Sequence, residues 1–141
     1  GGPPPTPPEL VVSFKHPGRV SERCRVVTEA ENARVPIHMR RDRICDRARA
    51  SVRLRVTVDG REHFARSYAP RGLHRDEASV VLERVAIPEG SHAVRLEVGD
   101  SHDATEWSWR DEQTHVYARN RRVVVTFDRT RLFTWDAPAA Q

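Results

Sequence analysis

The longest unbroken alternation of apolar and polar side chains lies at residues 46–58. It constrains the fold more than any other feature. One face carries Ala48, Ala50, Val52, Leu54, Val56 and Val58; the other carries Arg47, Arg49, Ser51, Arg53, Arg55 and Thr57. A period of two sustained this long is that of a β-strand with one buried face and one wet one. The run ends at Asp59-Gly60, a pair suited to the positive φ angles of a two-residue hairpin turn, and a second strand-like run follows at once. A strand–turn–strand unit is therefore expected in the middle of the chain.

The same rule places further strands on either side. Leu10, Val12 and Phe14 alternate over 10–16, which Pro17-Gly18 ends, and a short strand-like piece covers 23–27. Residues 61–68 return from the hairpin with Phe64 and Tyr68 on one face. Residues 79–87 form another strand, stopped by Pro88-Glu89-Gly90, and 92–98 turns Val94, Leu96 and Val98 inward. Residues 99–112 read as a long polar loop holding Trp107 and Trp109. Then come a strand at 115–118, a turn at Arg119-Asn120-Arg121, a strand at 122–127 with Val123, Val125 and Phe127 on one face, and a short strand at 132–135. The one helical fragment is 28–34, with Thr28 as N-cap and Glu31 as its capping-box partner. Pro36 stops it, and 36–45 reads as an irregular crossing.

About seven to eight short antiparallel strands with turn signals between them predict an all-β fold, an immunoglobulin-like β-sandwich with one short helical segment. A chain of 141 residues suffices for one such domain, placed at 10–136. Residues 1–9, rich in proline, read as an extended linker, and 137–141 as a flexible tail. The phrase Ile87-Pro-Glu-Gly-Ser-His-Ala-Val-Arg-Leu-Glu-Val98 resembles the apolar–Pro–x–Gly–x–His–x–Val hairpins of extracytoplasmic immunoglobulin-like modules of bacteria. That resemblance implies the fold and carries no activity.

The net charge is +4, and Lys15 is the only lysine among the basic residues, a bias that reads as that of a GC-rich genome. Many arginines stand near an acid, as in Arg41-Asp42-Arg43 and Arg110-Asp111-Glu112, which suits a solvated surface better than a nucleic-acid groove. No run approaches the roughly 20 apolar residues of a membrane-spanning helix. The chain starts Gly-Gly rather than with Met, so a signal sequence or membrane anchor upstream is expected.

Cys24 and Cys45 are the only cysteines and have no Cys-x-x-Cys neighbours, which argues against thioredoxin-like chemistry and a four-thiolate zinc site. A disulfide between them is the preferred expectation, and it implies the periplasm or cell surface. The alternatives are two free thiols, or a metal held with a histidine such as His38.

No nucleophile elbow, phosphate loop, dinucleotide fingerprint or His-Glu-x-x-His motif occurs, and the seven histidines (16, 38, 63, 74, 92, 102 and 115) are dispersed. Asp100 with His102-Asp103 is the densest group of candidate metal or acid/base residues. The expectation is a module without catalytic residues, metal or cofactor. Arg47, Arg49, Arg53 and Arg55, as one outward row next to the 36–45 crossing, are its candidate contact surface for an envelope protein or an anionic surface. The alternative is a carbohydrate-binding module stacking sugars on Trp107, Trp109 and Trp135. Nucleic acid is not an expected partner, because the arginine-bearing run has no interleaved aromatic residue. A membrane enters only through the expected upstream anchor.

Overall fold

The chain forms ten strands in a computed structural model that describes residues 2–138. In chain order they are β1 (Glu9–His16), β2 (Val20–Val26), β3 (Arg43–Arg49), β4 (Val52–Val58), β5 (Arg61–Tyr68), β6 (Ser79–Ala86), β7 (Gly90–Gly99), β8 (Trp109–Tyr117), β9 (Arg122–Asp128) and β10 (Leu132–Asp136). The short helix α1 (Glu29–Ala33) and a single 3-10 turn (Ile37–Met39) lie between β2 and β3. No helix of the described residues is long and apolar enough to cross a membrane.

Two four-stranded sheets, ordered β10-β9-β1-β6 and β5-β4-β7-β8, stack into a sandwich; β2 and β3 form a separate two-stranded hairpin. The core interdigitates Leu10, Val12 and Phe14 of β1 and Val123 and Val125 of β9 with Val52, Leu54 and Val56 of β4 and Val94, Leu96 and Val98 of β7. Burial of such side chains contributes roughly 1.5–3 kcal/mol each and is the main term holding the two sheets together. The Asp59-Gly60 turn takes φ of 49° and 82°, the left-handed conformation for which these residues suit a tight hairpin.

The sequence expectation of an all-β sandwich with one short helix holds, and three details differ. The run 46–58 is not one strand. It breaks at Ala50-Ser51, where the Ala50 N–H donates to the Arg19 carbonyl (2.8 Å), so the chain leaves the β2–β3 hairpin before entering the sandwich. Not every strand is antiparallel, because β1 lies parallel to β9 while pairing antiparallel with β6. β8 starts at Trp109, well inside the expected loop. Its inward positions Asp111, Gln113 and His115 are polar, so no apolar alternation marks it.

The fold also takes in part of the proline-rich segment. The Thr6 carbonyl accepts from Asn120 N–H, the Pro8 carbonyl accepts from Ile87 N–H, and Pro8 is buried. Docking therefore begins near Thr6 rather than at residue 10. At the other end Ala137 packs against the core; residues 139–141 of the expected tail, like Gly1 of the expected linker, lie outside the described residues.

Candidate interaction arm

Between Val20 and Arg49 no residue is buried. This arm is held by local devices instead of a core. β2 and β3 pair in register from Val20↔Arg49 to Val26↔Arg43, which sets Cys24 directly opposite Cys45, and the two sulfurs are bridged. At the far end, Thr28 and Glu31 form the reciprocal capping box of α1. Glu31 also takes a two-pronged bond from Arg25 (2.9 and 2.8 Å). The Arg25 guanidinium, with help from the Thr28 backbone N–H, holds the Glu31 carboxyl down at about 2. The Asn32 side chain bridges to the Arg41 carbonyl (3.0 Å), and the Arg40 Nε donates to the Val35 carbonyl (3.1 Å).

The root of the arm is tied to the sandwich through a buried histidine–aspartate pair. His16 is 2% exposed, and its Nε2 lies 2.9 Å from the Asp100 carboxylate. The same carboxylate has the Arg19 Nε at 3.0 Å, an ion pair without hydrogen-bond alignment. The Arg19 N–H donates to the Asp100 carbonyl (2.8 Å), and the Arg19 guanidinium donates to the Ser108 hydroxyl (3.1 Å). Trp109 and Phe127 pack edge-on against the His16 ring. This pair faces the core, so its placement anchors the arm and offers no open acid/base site. A signal for it was present in the sequence. His16 continues the inward parity of Leu10, Val12 and Phe14, and Asp100 continues that of Val94, Leu96 and Val98.

The four arginines singled out from the sequence are not brought into one row. Arg47 and Arg49 lie on β3 of the arm, Arg53 and Arg55 on β4 of the sandwich. Three of these guanidiniums are engaged within the molecule. Arg49 donates to the carbonyls of Asp76 (2.6 Å) and Gly18 (2.7 Å). Arg53 donates to the carbonyls of Ala104 (2.7 Å), Asp103 (2.9 Å) and Glu106, pinning the 100–106 loop. Arg55 holds Glu97 in a two-pronged bond at 3.0 Å, and Glu97 is only 1% exposed. The proximity of Glu97 raises the Arg55 guanidinium further above its ordinary value. Arg47 alone of the four points freely to solvent, with no ion pair among the described residues.

The three tryptophans are also separated. Trp107 lies against the Arg53 and Arg55 guanidiniums, each 4.5 Å from its ring centre. Trp109 packs on Phe127 in the core, and the Trp135 Nε1 donates to Asp111 (2.8 Å). All three are half-buried, and no two make a shared open platform. Asp100, His102 and Asp103 likewise diverge: the His102 Nε2 meets the Ala48 carbonyl (3.1 Å), and Asp103 accepts from the Thr105 N–H and hydroxyl. Among the described residues the one cluster of possible metal ligands is Glu22, Cys24 and Cys45, where both thiols are already in the disulfide.

Most of the arm is open to solvent. It carries eight arginines against five carboxylates. Of these, Arg23, Arg34, Arg40, Arg41, Arg43 and Arg47 form no ion pair among the described residues. Its far end also exposes large apolar side chains: Val26 is 77%, Ile37 80% and Met39 59% exposed. Nothing in the sequence pattern isolated these three, because none belongs to a sustained apolar alternation. Comparison with protein-family models, curated proteins and solved structures finds no match for the chain.

Proposed function

We propose that the protein is a non-catalytic, extracytoplasmic accessory module that binds an anionic surface through its arm, the sandwich serving as the mount. The observation that carries this reading is the arm's make-up. A segment with no buried residue is nonetheless stapled, capped and fixed at its root, and it displays unpaired arginines beside exposed apolar side chains. Such ordering has an entropic cost that a passive loop does not incur. The disulfide suggests an oxidising, extracytoplasmic environment, in keeping with a periplasmic or cell-surface setting.

The immunoglobulin-like assignment belongs to the same proposal. Two hairpins, β4–β5 and β7–β8, joined through β4–β7 and set against the antiparallel β1–β6 pair, support it as the pairing of a C′-C-F-G sheet over B and E strands. The parallel β1–β9 pair is its departure from that plan.

The test compares the oxidised protein with a variant in which residues 23–46 are replaced by Asn-Gly, closing β2 on β3 early. Both are sedimented with bacterial envelope membranes. The intact protein is expected in the pellet and the shortened one in the supernatant, with unchanged thermal midpoints for the sandwich. Equal pelleting of the two overturns the arm as the contact surface.

A further inference from the structure

The arm ends in a chemistry more specific than positive charge. Val26 closes β2, and Ile37 and Met39 stand on the 3-10 turn beyond α1, so all three exposed apolar side chains are gathered past the disulfide. Each seven-residue strand of the arm spans roughly 23 Å at about 3.3 Å per residue, so these side chains stand well away from the sandwich. Four arginines of the same end, Arg34, Arg40, Arg41 and Arg43, form no ion pair among the described residues, against two such carboxylates, Glu29 and Asp42. The fifth arginine there, Arg25, already neutralises Glu31.

We infer that this end docks on a bilayer of anionic lipid: Ile37, Met39 and Val26 enter the interface, and the four unpaired arginines lie among the phosphates. The inference rests on the reading of the arm as the contact surface and names the surface it meets. Two features favour lipid over a protein partner. The most exposed pair, Val26 and Ile37, lies outside the groove of about 250 Å³ that Val27, Val35, Met39 and Ile44 line together with Glu31, Asn32 and Arg41. A protein would therefore need sockets shaped for each protruding side chain, whereas a fluid interface accepts them without matching relief. The second feature is the arrangement itself, apolar side chains at the extremity with arginines around them, which is how peripheral segments combine apolar insertion with attraction to anionic headgroups. The disulfide and the capping box keep the end ordered before contact, so docking does not have to pay for its folding.

The experiment is vesicle co-sedimentation of the full oxidised chain. One set of vesicles is phosphatidylcholine alone and the other contains phosphatidylglycerol as well. Binding is expected only with phosphatidylglycerol present and weakens as salt is added. Arg41→Gln and Arg43→Gln should each lower the vesicle affinity about fivefold. Ile37→Asp and Met39→Asp should each lower it roughly tenfold or more. None of these side chains is buried, so the variants keep the parent's thermal midpoint, which circular dichroism checks.

Absence of binding to the phosphatidylglycerol vesicles overturns the inference, as does undiminished binding by the Ile37→Asp/Met39→Asp variant. If envelope membranes are bound through the arm while pure lipid vesicles are not, the partner is a membrane protein and only the lipid inference fails. If the arm-shortened protein pellets with envelope membranes like its parent, the reading of the arm fails with it.

Discussion

In the sandwich, Leu10, Val52, Leu54, Val56, Leu96 and Val125 are all fully buried; in the arm, no side chain between Val20 and Arg49 is. The first region holds its shape by excluding water from a shared interior, so each part depends on strands far away in sequence. The second holds its shape by one covalent bridge and a few polar contacts between near neighbours: Cys24 with Cys45, Thr28 with Glu31, Arg25 with Glu31, Asn32 with Arg41. The contrast separates fold stability from surface chemistry. Arm side chains can change with little effect on the core, so the arm's surface chemistry is not tied to the stability of the sandwich.

The largest effect that tests this division is a cavity in the core. Leu54→Ala should lower the unfolding free energy by about 3 kcal/mol, read by chemical denaturation. Ile44→Ala, at a half-buried position of the arm, should cost under about 1 kcal/mol. Equal costs would mean that arm and sandwich unfold as one unit.

Opening the disulfide comes next. The bridge joins residues 21 apart in sequence, and in the chain-entropy account a loop of this size is stabilised by roughly 3 kcal/mol. That stabilisation should be local. In the Cys24→Ser/Cys45→Ser variant, amides of β2, α1 and β3 should lose hydrogen-exchange protection while β4 and β7 keep theirs. Loss of protection across the sandwich as well would show that the arm braces it.

A smaller effect marks the joint between the two. A Cβ added at Gly18 would stand 1.9 Å from the Ala50 carbonyl oxygen, a backbone atom that cannot swing aside. Gly18→Ala must therefore push β1 away from the β3–β4 crossing, at a cost of about 1–3 kcal/mol. Amide shifts confined to residues near Arg19, Ala50 and Asp100 would confirm that the joint alone moves; shifts reaching Cys24 would show a rigid connection along the arm.

The same contrast explains what could be read from the sequence. Strands whose inward positions are apolar, such as β1, β4 and β7, were legible because alternation records burial directly. The start of β8 was not, since Asp111, Gln113 and His115 face inward toward polar or aromatic partners, including the Trp135 indole. The break at Ala50 was hidden for the opposite reason: an alternating pattern continued across a crossing between two hairpins, with Ala48 exposed and Ala50 buried on what looked like one face. Local chemistry in the arm, the Thr28–Glu31 box above all, was legible because its partners are three residues apart. Engagement of Arg49, Arg53 and Arg55 was not, because the groups they bind are backbone carbonyls and a glutamate far along the chain.

The smallest predicted effect concerns pH and again divides the two regions. In the sandwich, the His92 Nδ1 lies 2.6 Å from the Asp59 carboxylate at the β4–β5 turn, and Asp59 also accepts from the Ala93 N–H (2.9 Å). The Asp59 carboxylate, then the Glu89 carbonyl, raise His92 above its ordinary 6.5; His92 in turn lowers Asp59 below its ordinary 3.8. A histidine raised in the folded state stabilises fully below its unfolded value, and that contribution is lost as pH rises through the folded one. A lowered aspartate contributes above its unfolded value and loses that contribution as pH falls through the folded one. The Asp59–His92 pair is therefore strongest between about pH 4 and 6.5 and fades on the alkaline side. In the arm, Glu31 is lowered from 4.5 to about 2, so its pairing with Arg25 is complete above 4.5 and lost as pH falls toward 2. Raising the pH from about 6 to 8 should thus lower the sandwich's thermal midpoint slightly and leave the arm's amide protection unchanged. His92→Gln should flatten that part of the midpoint–pH curve. A midpoint that still falls in the variant would assign the slope to another histidine, and an arm that loosens over the same range would show that its order depends on the sandwich after all.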